Sequence, residues 1–149
     1  MIDKRPILIA NDHAGFELKR SIITQKYKSK IFFEDLGSNS SESVDYPDFA
    51  HFLCKKINSN DNKIGILICG SGIGMSIVAN RYENVRAALC LNTEMVSLCR
   101  KHNNANILVL GSRLISCTEA IKCIETFIFT KFEEGRHQTR LDKFNNVNI

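Results

Sequence analysis

The chain has 149 residues, room for one compact domain, and is 44% hydrophobic and 24% charged, enough for an ordinary core. Twenty basic residues against sixteen acidic ones leave a net charge of +4; this suits an anionic small molecule and falls short of the dense basic stripe that nucleic acid demands. The apolar runs, such as 64–69 and 107–110, are far shorter than the ~20 residues of a membrane-spanning helix, so neither nucleic acid nor membrane is an expected partner.

Residues 7–10 predict the first strand, which ends at Asn11-Asp12-His13-Ala14-Gly15. Residues 16–25 predict a helix with Phe16, Leu18, Ile22 and Ile23 apolar. A second strand starts at 31–33 and stops at Asp35-Leu36-Gly37, before a polar loop at 38–43. Pro47 opens a helix that gathers Phe49, Ala50, Phe52, Leu53 and Ile57. Residues 64–69 are the clearest strand, followed by Gly70-Ser71-Gly72-Ile73-Gly74 and a helix over 75–80. Residues 85–91 give strand four, and Asn92-Thr93 caps a helix over 94–102. Residues 107–110 give strand five, which ends at Gly111-Ser112-Arg113. A long helix is predicted over 117–132, broken at Glu133-Glu134-Gly135, then a short helix and a frayed tail at 145–149.

Five strands, each followed by a helix, predict an α/β fold: a single-domain, three-layer, Rossmann-like arrangement over 1–149, with a five-stranded parallel sheet and helices on both faces. The strands read as continuous apolar runs, as parallel strands buried on both faces do. Ligands of such sheets bind at the carboxyl ends of the strands. That rule selects Asn11-Asp12-His13, Cys69 with its glycine loop, the helix after strand four, and Gly111-Ser112-Arg113. The first residues, Met1-Ile2-Asp3-Lys4-Arg5-Pro6, show no secretory signal. The six cysteines (54, 69, 90, 99, 117 and 123) contain no CxxC pair. Most are expected as small buried hydrophobes, reduced in a cytoplasm.

The glycine loop at 70–74 lets the backbone approach a ligand and aims N–H groups at it, so it can hold a phosphate or a developing oxyanion; a bare strand-to-helix turn is the plainer alternative. Its spacing is GxGxG after strand three, which is no dinucleotide fingerprint. N–H dipoles there favour a thiolate at Cys69, set against a purely structural cysteine. Asp12 and His13 can contact sugar hydroxyls and an anion, or simply cap a helix. His102, beside Asn103, sits at a helix C-terminus, where a histidine is also merely stabilising. Arg136 and Arg140 share a helical face, which fits a phosphate dianion and equally fits a solvated basic face or salt bridges to Glu133, Glu134 and Asp142.

Taken in order, Asp12-His13-Ala14-Gly15, Asp45-Tyr46-Pro47, Ile68-Cys69-Gly70-Ser71-Gly72-Ile73-Gly74, Ala79-Asn80, Arg86-Ala87-Ala88, His102-Asn103, Asn106-Ile107-Leu108, Gly111-Ser112-Arg113 and Gly135-Arg136-His137 cover nearly the whole chain. This ordered set resembles the ribose-5-phosphate isomerase B and galactose-6-phosphate isomerase family. The resemblance implies an aldose–ketose isomerase that interconverts ribose 5-phosphate and ribulose 5-phosphate without metal or other cofactor, a step of the pentose phosphate pathway. It implies Cys69 as the base, since Met75 stands where some members carry glutamate. Ser71 and the amides of Gly70, Gly72, Ile73 and Gly74 would hold the enediolate, with Tyr46 lining the pocket. His102 would open the sugar ring, with Asp12 and Asn103 on sugar oxygens, and His13, Arg113, Arg136 and Arg140 would clamp the phosphate. It also implies a homodimer with shared sites, the arm at 135–149 reaching the partner subunit, and leaves open a tetramer. Members often read Gly-Gly-Arg-His where this chain has Glu134-Gly135-Arg136-His137. An isomerase of galactose or allose 6-phosphate and a non-catalytic phosphate-binding module of flavodoxin-like shape are the competing readings. The presence of Cys69, His102 and the arginines in one chain favours a self-sufficient pentose enzyme.

Overall fold

The computed structural model describes residues 6–59 and 63–147. The reading of the first five residues, and the last two of the tail, lie outside the described residues. Five strands, β1 (Ile7–Asn11), β2 (Phe33–Asp35), β3 (Gly65–Cys69), β4 (Ala87–Leu89) and β5 (Ile107–Gly111), form one parallel sheet in the order β2-β1-β3-β5-β4. In the two registers across β3, Asn11 stands opposite Ile68 and Cys69 opposite Gly111, so the carboxyl ends of the three central strands are level. Those three strands are buried along their whole length, as their apolar sequences predict.

Helices α1 (Phe16–Thr24), α4 (Thr93–Asn103) and α5 (Cys117–Phe129) cover one face, and α2 (Tyr46–Asn58) and α3 (Ile73–Ala79) the other. A last helix, α6 (Arg136–Leu141), packs on α4. Val96, Ile124 and Phe127 meet Ile9, Ile66 and Leu108 in the first interface; Leu53, Ile57 and Met75 meet Leu8, Leu67 and Val109 in the second. Met75, in the position where the resemblance raised a glutamate, is therefore a core residue with no exposure at all.

α3 begins at Ile73, two residues before expectation, and β2, β4 and α5 also depart from the expected bounds. β2 begins at Phe33, because residues 31 and 32 only lead in, Phe32 giving its carbonyl to the Ile7 N–H at 2.8 Å. β4 spans three residues, shorter than predicted, as befits an edge strand. α5 stops at Phe129, and not at 132, because Thr130 turns to extended backbone while its carbonyl accepts Arg100 Nε at 3.3 Å. The Glu133 N–H then donates to the Lys101 carbonyl at 3.0 Å. Contacts to α4 override a run with no breaker of its own.

Candidate active site

β1 feeds α1 on one face and β3 feeds α3 on the other, so a crevice opens outside their carboxyl ends. Cys69, the last residue of β3, lies there, 4% exposed, and its Sγ accepts the Gly72 N–H at 3.2 Å. Gly72 has φ +77°, and a Cβ on it would fall 2.5 Å from Leu89 Cδ1 and 3.2 Å from the Gly111 nitrogen. Only glycine gives this turn both its hand and its clearance. The Ile73 N–H donates to Ser71 Oγ at 3.2 Å.

The loop after β5 knits onto this turn. Ser112 N–H donates to the Cys69 carbonyl at 2.8 Å, and Arg113 N–H to the Gly70 carbonyl at 3.0 Å. The Arg113 guanidinium lies over Gly70, where a Cβ would come within 2.9 Å of Nη1. Tyr46, at the start of α2, lies over Gly74, where a Cβ would come within 2.5 Å of the ring. From β1, Asp12 N–H donates to the Ile68 carbonyl at 3.1 Å, and Asp12 Oδ1 accepts Gly15 N–H at 3.1 Å. Asp12 is thus a cap as well as a lining residue. His13 Nδ1 accepts the Val44 N–H at 3.2 Å, which leaves Nε2 to carry the ring proton and donate outward. One end of the sheet therefore gathers Asp12, His13, Tyr46, Cys69, Gly70, Ser71, Gly72, Ile73, Gly74 and Arg113.

His102 and Asn103 are not there. The helix after strand four begins at the carboxyl end of the sheet, but α4 runs antiparallel to the strands, and ~1.5 Å per residue over its eleven residues carries its end back to the amino end of β5. β5 itself is five residues long, ~13 Å at strand rise, and separates the level of His102 from that of Cys69. The expectation that His102 lies near the carboxyl ends is corrected accordingly. α5 returns to the same amino end, so Arg136 and Arg140 stand with His102 and away from Arg113. The arm from 135 is not detached either: His137 is buried and stacks on His102, ring centroids 4.3 Å apart and planes at 11°. Arg136 and Arg140 are exposed and form no ion pair among the described residues, whereas Asp142 accepts Gln138 Nε2 at 2.6 Å. The expected alternative of arginines paired to nearby carboxylates is not what folds. Beside this half, a cavity of about 620 Å³ opens between Arg86, Ala87, Cys99, Asn103 and Gln138.

Some residues of both halves carried no role in the sequence. Glu133 places a carboxylate oxygen 3.8 Å from His102 Nε2 and 3.9 Å from His137 Nε2. Burial, then the charges of His102, Arg136 and Arg140, hold His137 below the ordinary imidazole value of 6.5, with Glu133 opposing. The position of His137 between two arginines was the available signal. At the other end, Lys19 is 2% exposed and gives its ammonium to Asp35 at 2.9–3.0 Å, to Asn39 Oδ1 at 3.1 Å and to the Ser38 carbonyl at 2.6 Å. It straps the 35–39 segment beside Asn11, whose Nδ2 donates to the carbonyls of Asp12 (2.7 Å) and Ser38 (3.2 Å). Lys19 stands three residues from both Phe16 and Ile22, on the apolar side of α1, which was its signal.

His102, Glu133 and His137 bring three potential metal ligands within 4.8 Å of one another. The two rings are nearly parallel, so their in-plane lone pairs run side by side and do not converge on one ion. As folded, the cluster suits sharing a proton and meeting an anion better than chelation.

The sequence model of the Ribose/Galactose Isomerase family matches residues 7–144, and the chain belongs to that family. Within it, the chain is similar to the type B ribose-5-phosphate isomerases. A Listeria innocua protein of that name is 36% identical over 141 residues, covering 95% of each chain. The crystal structure of a ribose 5-phosphate isomerase from Thermotoga maritima superposes with a TM-score of 0.91 at 50% identity, covering 97% of this chain and all of that one. The Mycoplasma genitalium ribose-5-phosphate isomerase B, solved with bound ribulose-5-phosphate, superposes with a TM-score of 0.87 at 42% identity, covering 93% of this chain and 92% of that one.

Proposed function

We propose that this protein interconverts ribose 5-phosphate and ribulose 5-phosphate, in an active site that two copies of the chain complete together. Family membership supports the reaction. The observation that carries the shared site is the separation of the two halves: base and oxyanion loop at the carboxyl end of the sheet, His102 and the arginines at the amino end. A pentose phosphate cannot reach both on one chain.

On the open-chain aldose, the Cys69 thiolate takes the proton from C2, and the electron pair moves to the C1 oxygen. The resulting enediolate is met by the N–H groups of the loop at 70–74 and by Ser71, fixed in place before the reaction begins. The hydroxyl proton of O2 passes to O1, and Cys69 returns its proton to C1, which gives the ketose. His102, from the second copy, moves the proton that opens the furanose, with Asp12 and Asn103 on sugar oxygens. The phosphate lies between His13 and Arg113 of one copy and Arg136 and Arg140 of the other.

The uncovered surface of one chain supports such pairing. β4 is an edge strand, and Ile73 and Ile77 on one side of it and Leu91, Met95 and Leu98 on the other are all exposed. An apolar edge of this kind favours burial against a second copy. The relatives named for a pentose phosphate give the six-carbon reading no support. The six free thiols suit a reducing, cytoplasmic setting; among the described residues no helix is long and apolar enough to cross a membrane. In the decisive assay, purified protein treated with a chelator converts ribose 5-phosphate to ribulose 5-phosphate. No turnover of ribose 5-phosphate, or activity restored only by a divalent ion, would contradict the reading.

A further inference from the structure

Cys90 follows β4 and is buried; Cys99 lies in the second turn of α4 above it. The Cys90 thiol donates to Cys99 Sγ across 3.9 Å, and Cys99 Sγ–H donates to the Val96 carbonyl at 3.2 Å. A disulfide needs ~2.05 Å between sulfurs, so each sulfur has to move by only ~1 Å, within reach of side-chain rotation. Cys99 also lines the cavity at the amino end of β4, whereas Cys90 is 1% exposed behind it. Cys99 thus borders the cavity and Cys90 does not.

We propose that Cys90 and Cys99 are a reversible modification site, closing to a disulfide on reaction with a hydroperoxide. The electrostatics make Cys99 the sulfur that reacts first. Cys90's hydrogen bond pushes Cys99 below the ordinary thiol value, helped by Arg100 and opposed by burial. The same bond, then burial, pushes Cys90 well above it. The Cys99 thiolate attacks the terminal peroxide oxygen; the O–O bond breaks, leaving a sulfenic acid on Cys99 and an alcohol or water. Cys90 then attacks the sulfenic sulfur, the S–S bond forms, and hydroxide leaves with the Cys90 proton as water. Two electrons pass from the two thiols to the peroxide.

His102 lies three residues beyond Cys99 on α4. Closing the bond removes the Cys99 S–H that the Val96 carbonyl accepts and ties that turn of α4 to the end of β4, and, on the reading of His102 as ring opener, it slows ribose 5-phosphate turnover; a misplacement of ~1 Å can cost ~100-fold in rate.

The test treats the native protein with graded hydrogen peroxide, unfolds it in denaturant with iodoacetamide present so that buried thiols are blocked too, and digests it with trypsin. Both cysteines fall in one peptide, residues 87–100, and Cys69 in another, residues 64–81. The expected product is the 87–100 peptide lighter by two hydrogens and alkylated at neither cysteine, at a dose that leaves Cys69 fully alkylated. Dithiothreitol restores both alkylation sites and the initial rate. Cys90→Ser should instead leave a sulfenic acid on Cys99 that dimedone traps. Full alkylation of 87–100 at doses that already oxidise Cys69, or pairing of either sulfur with Cys123, overturns the assignment independently of the enzyme's activity. A disulfide that forms with no change in rate overturns the coupling to His102.

Discussion

The two ends of the sheet are built by different means. At the carboxyl end, three loops are tied by backbone hydrogen bonds among Asp12, Ile68, Cys69, Gly70, Ser112 and Arg113, and glycines bring the chains into contact. At the amino end, side chains do the work: a stacked histidine pair, a carboxylate facing the Nε2 atoms of both rings, and two exposed arginines on a six-residue helix. A rigid backbone cradle suits charge that develops at one fixed atom, while adaptable side chains suit a phosphate that must enter and leave. The contrast also predicts how each end fails. Damage to the cradle should strike turnover, and damage to the clamp should strike substrate binding.

The largest effect is expected at Cys69. Cys69→Ala should lower kcat by ~10²–10⁴-fold and leave KM within a few-fold of its starting value, because the proposed phosphate contacts lie elsewhere. Steady-state kinetics would check this, and near-normal kcat would remove Cys69 as the base.

A middle-sized effect concerns His137. Its folded value lies below the unfolded 6.5, so between the two the unfolded chain binds more protons and stability rises with pH. The cost is full below the folded value and gone above the unfolded one. In an NMR titration its imidazole midpoint should fall below 6.5, and Arg140→Ala should move it upward, since Arg140 is one of the charges holding it down. A midpoint at or above the ordinary value contradicts the electrostatics described for this end.

The smallest effect is at Glu134, a non-glycine residue at φ +58°. Glu134→Gly relieves ~1–2 kcal/mol of left-handed strain and adds back part of it as chain entropy, so thermal unfolding should show a gain of about 1 kcal/mol or less. A loss of stability would mean that Glu134 makes a contact that offsets its strain.

The carboxyl-end half was legible because it follows from topology. Buried parallel strands announce themselves as apolar runs, and the loops after β1, β3 and β5 that the strand-end rule selected do meet in one crevice. The amino-end half was less legible. His102 was read as close to the strand ends, although the antiparallel course of a crossover helix with eleven residues already sends its C-terminus to the opposite side. The end of α5 could not be read, because nothing in residues 130–132 breaks a helix; hydrogen bonds from α4 do. Lys19 escaped notice because a lysine is expected in water, and only the fold shows the four oxygens that surround its ammonium.

The central claim is that one catalytic site takes the carboxyl end of one chain and the amino end of another, and subunit mixing tests it most directly. On the proposed reading Arg140→Ala removes a charge-assisted phosphate contact worth ~1.5–3 kcal/mol, so its KM should rise ~10–100-fold. Cys69→Ala chains and Arg140→Ala chains, each impaired alone, are mixed at a substrate concentration well below the mutant KM and allowed to exchange, with exchange followed by native mass spectrometry. In a mixed dimer with shared sites, one site carries both defects and the other carries neither, so the account predicts that activity returns. If mixed dimers form and no activity returns, each chain builds its own complete site and the account is contradicted.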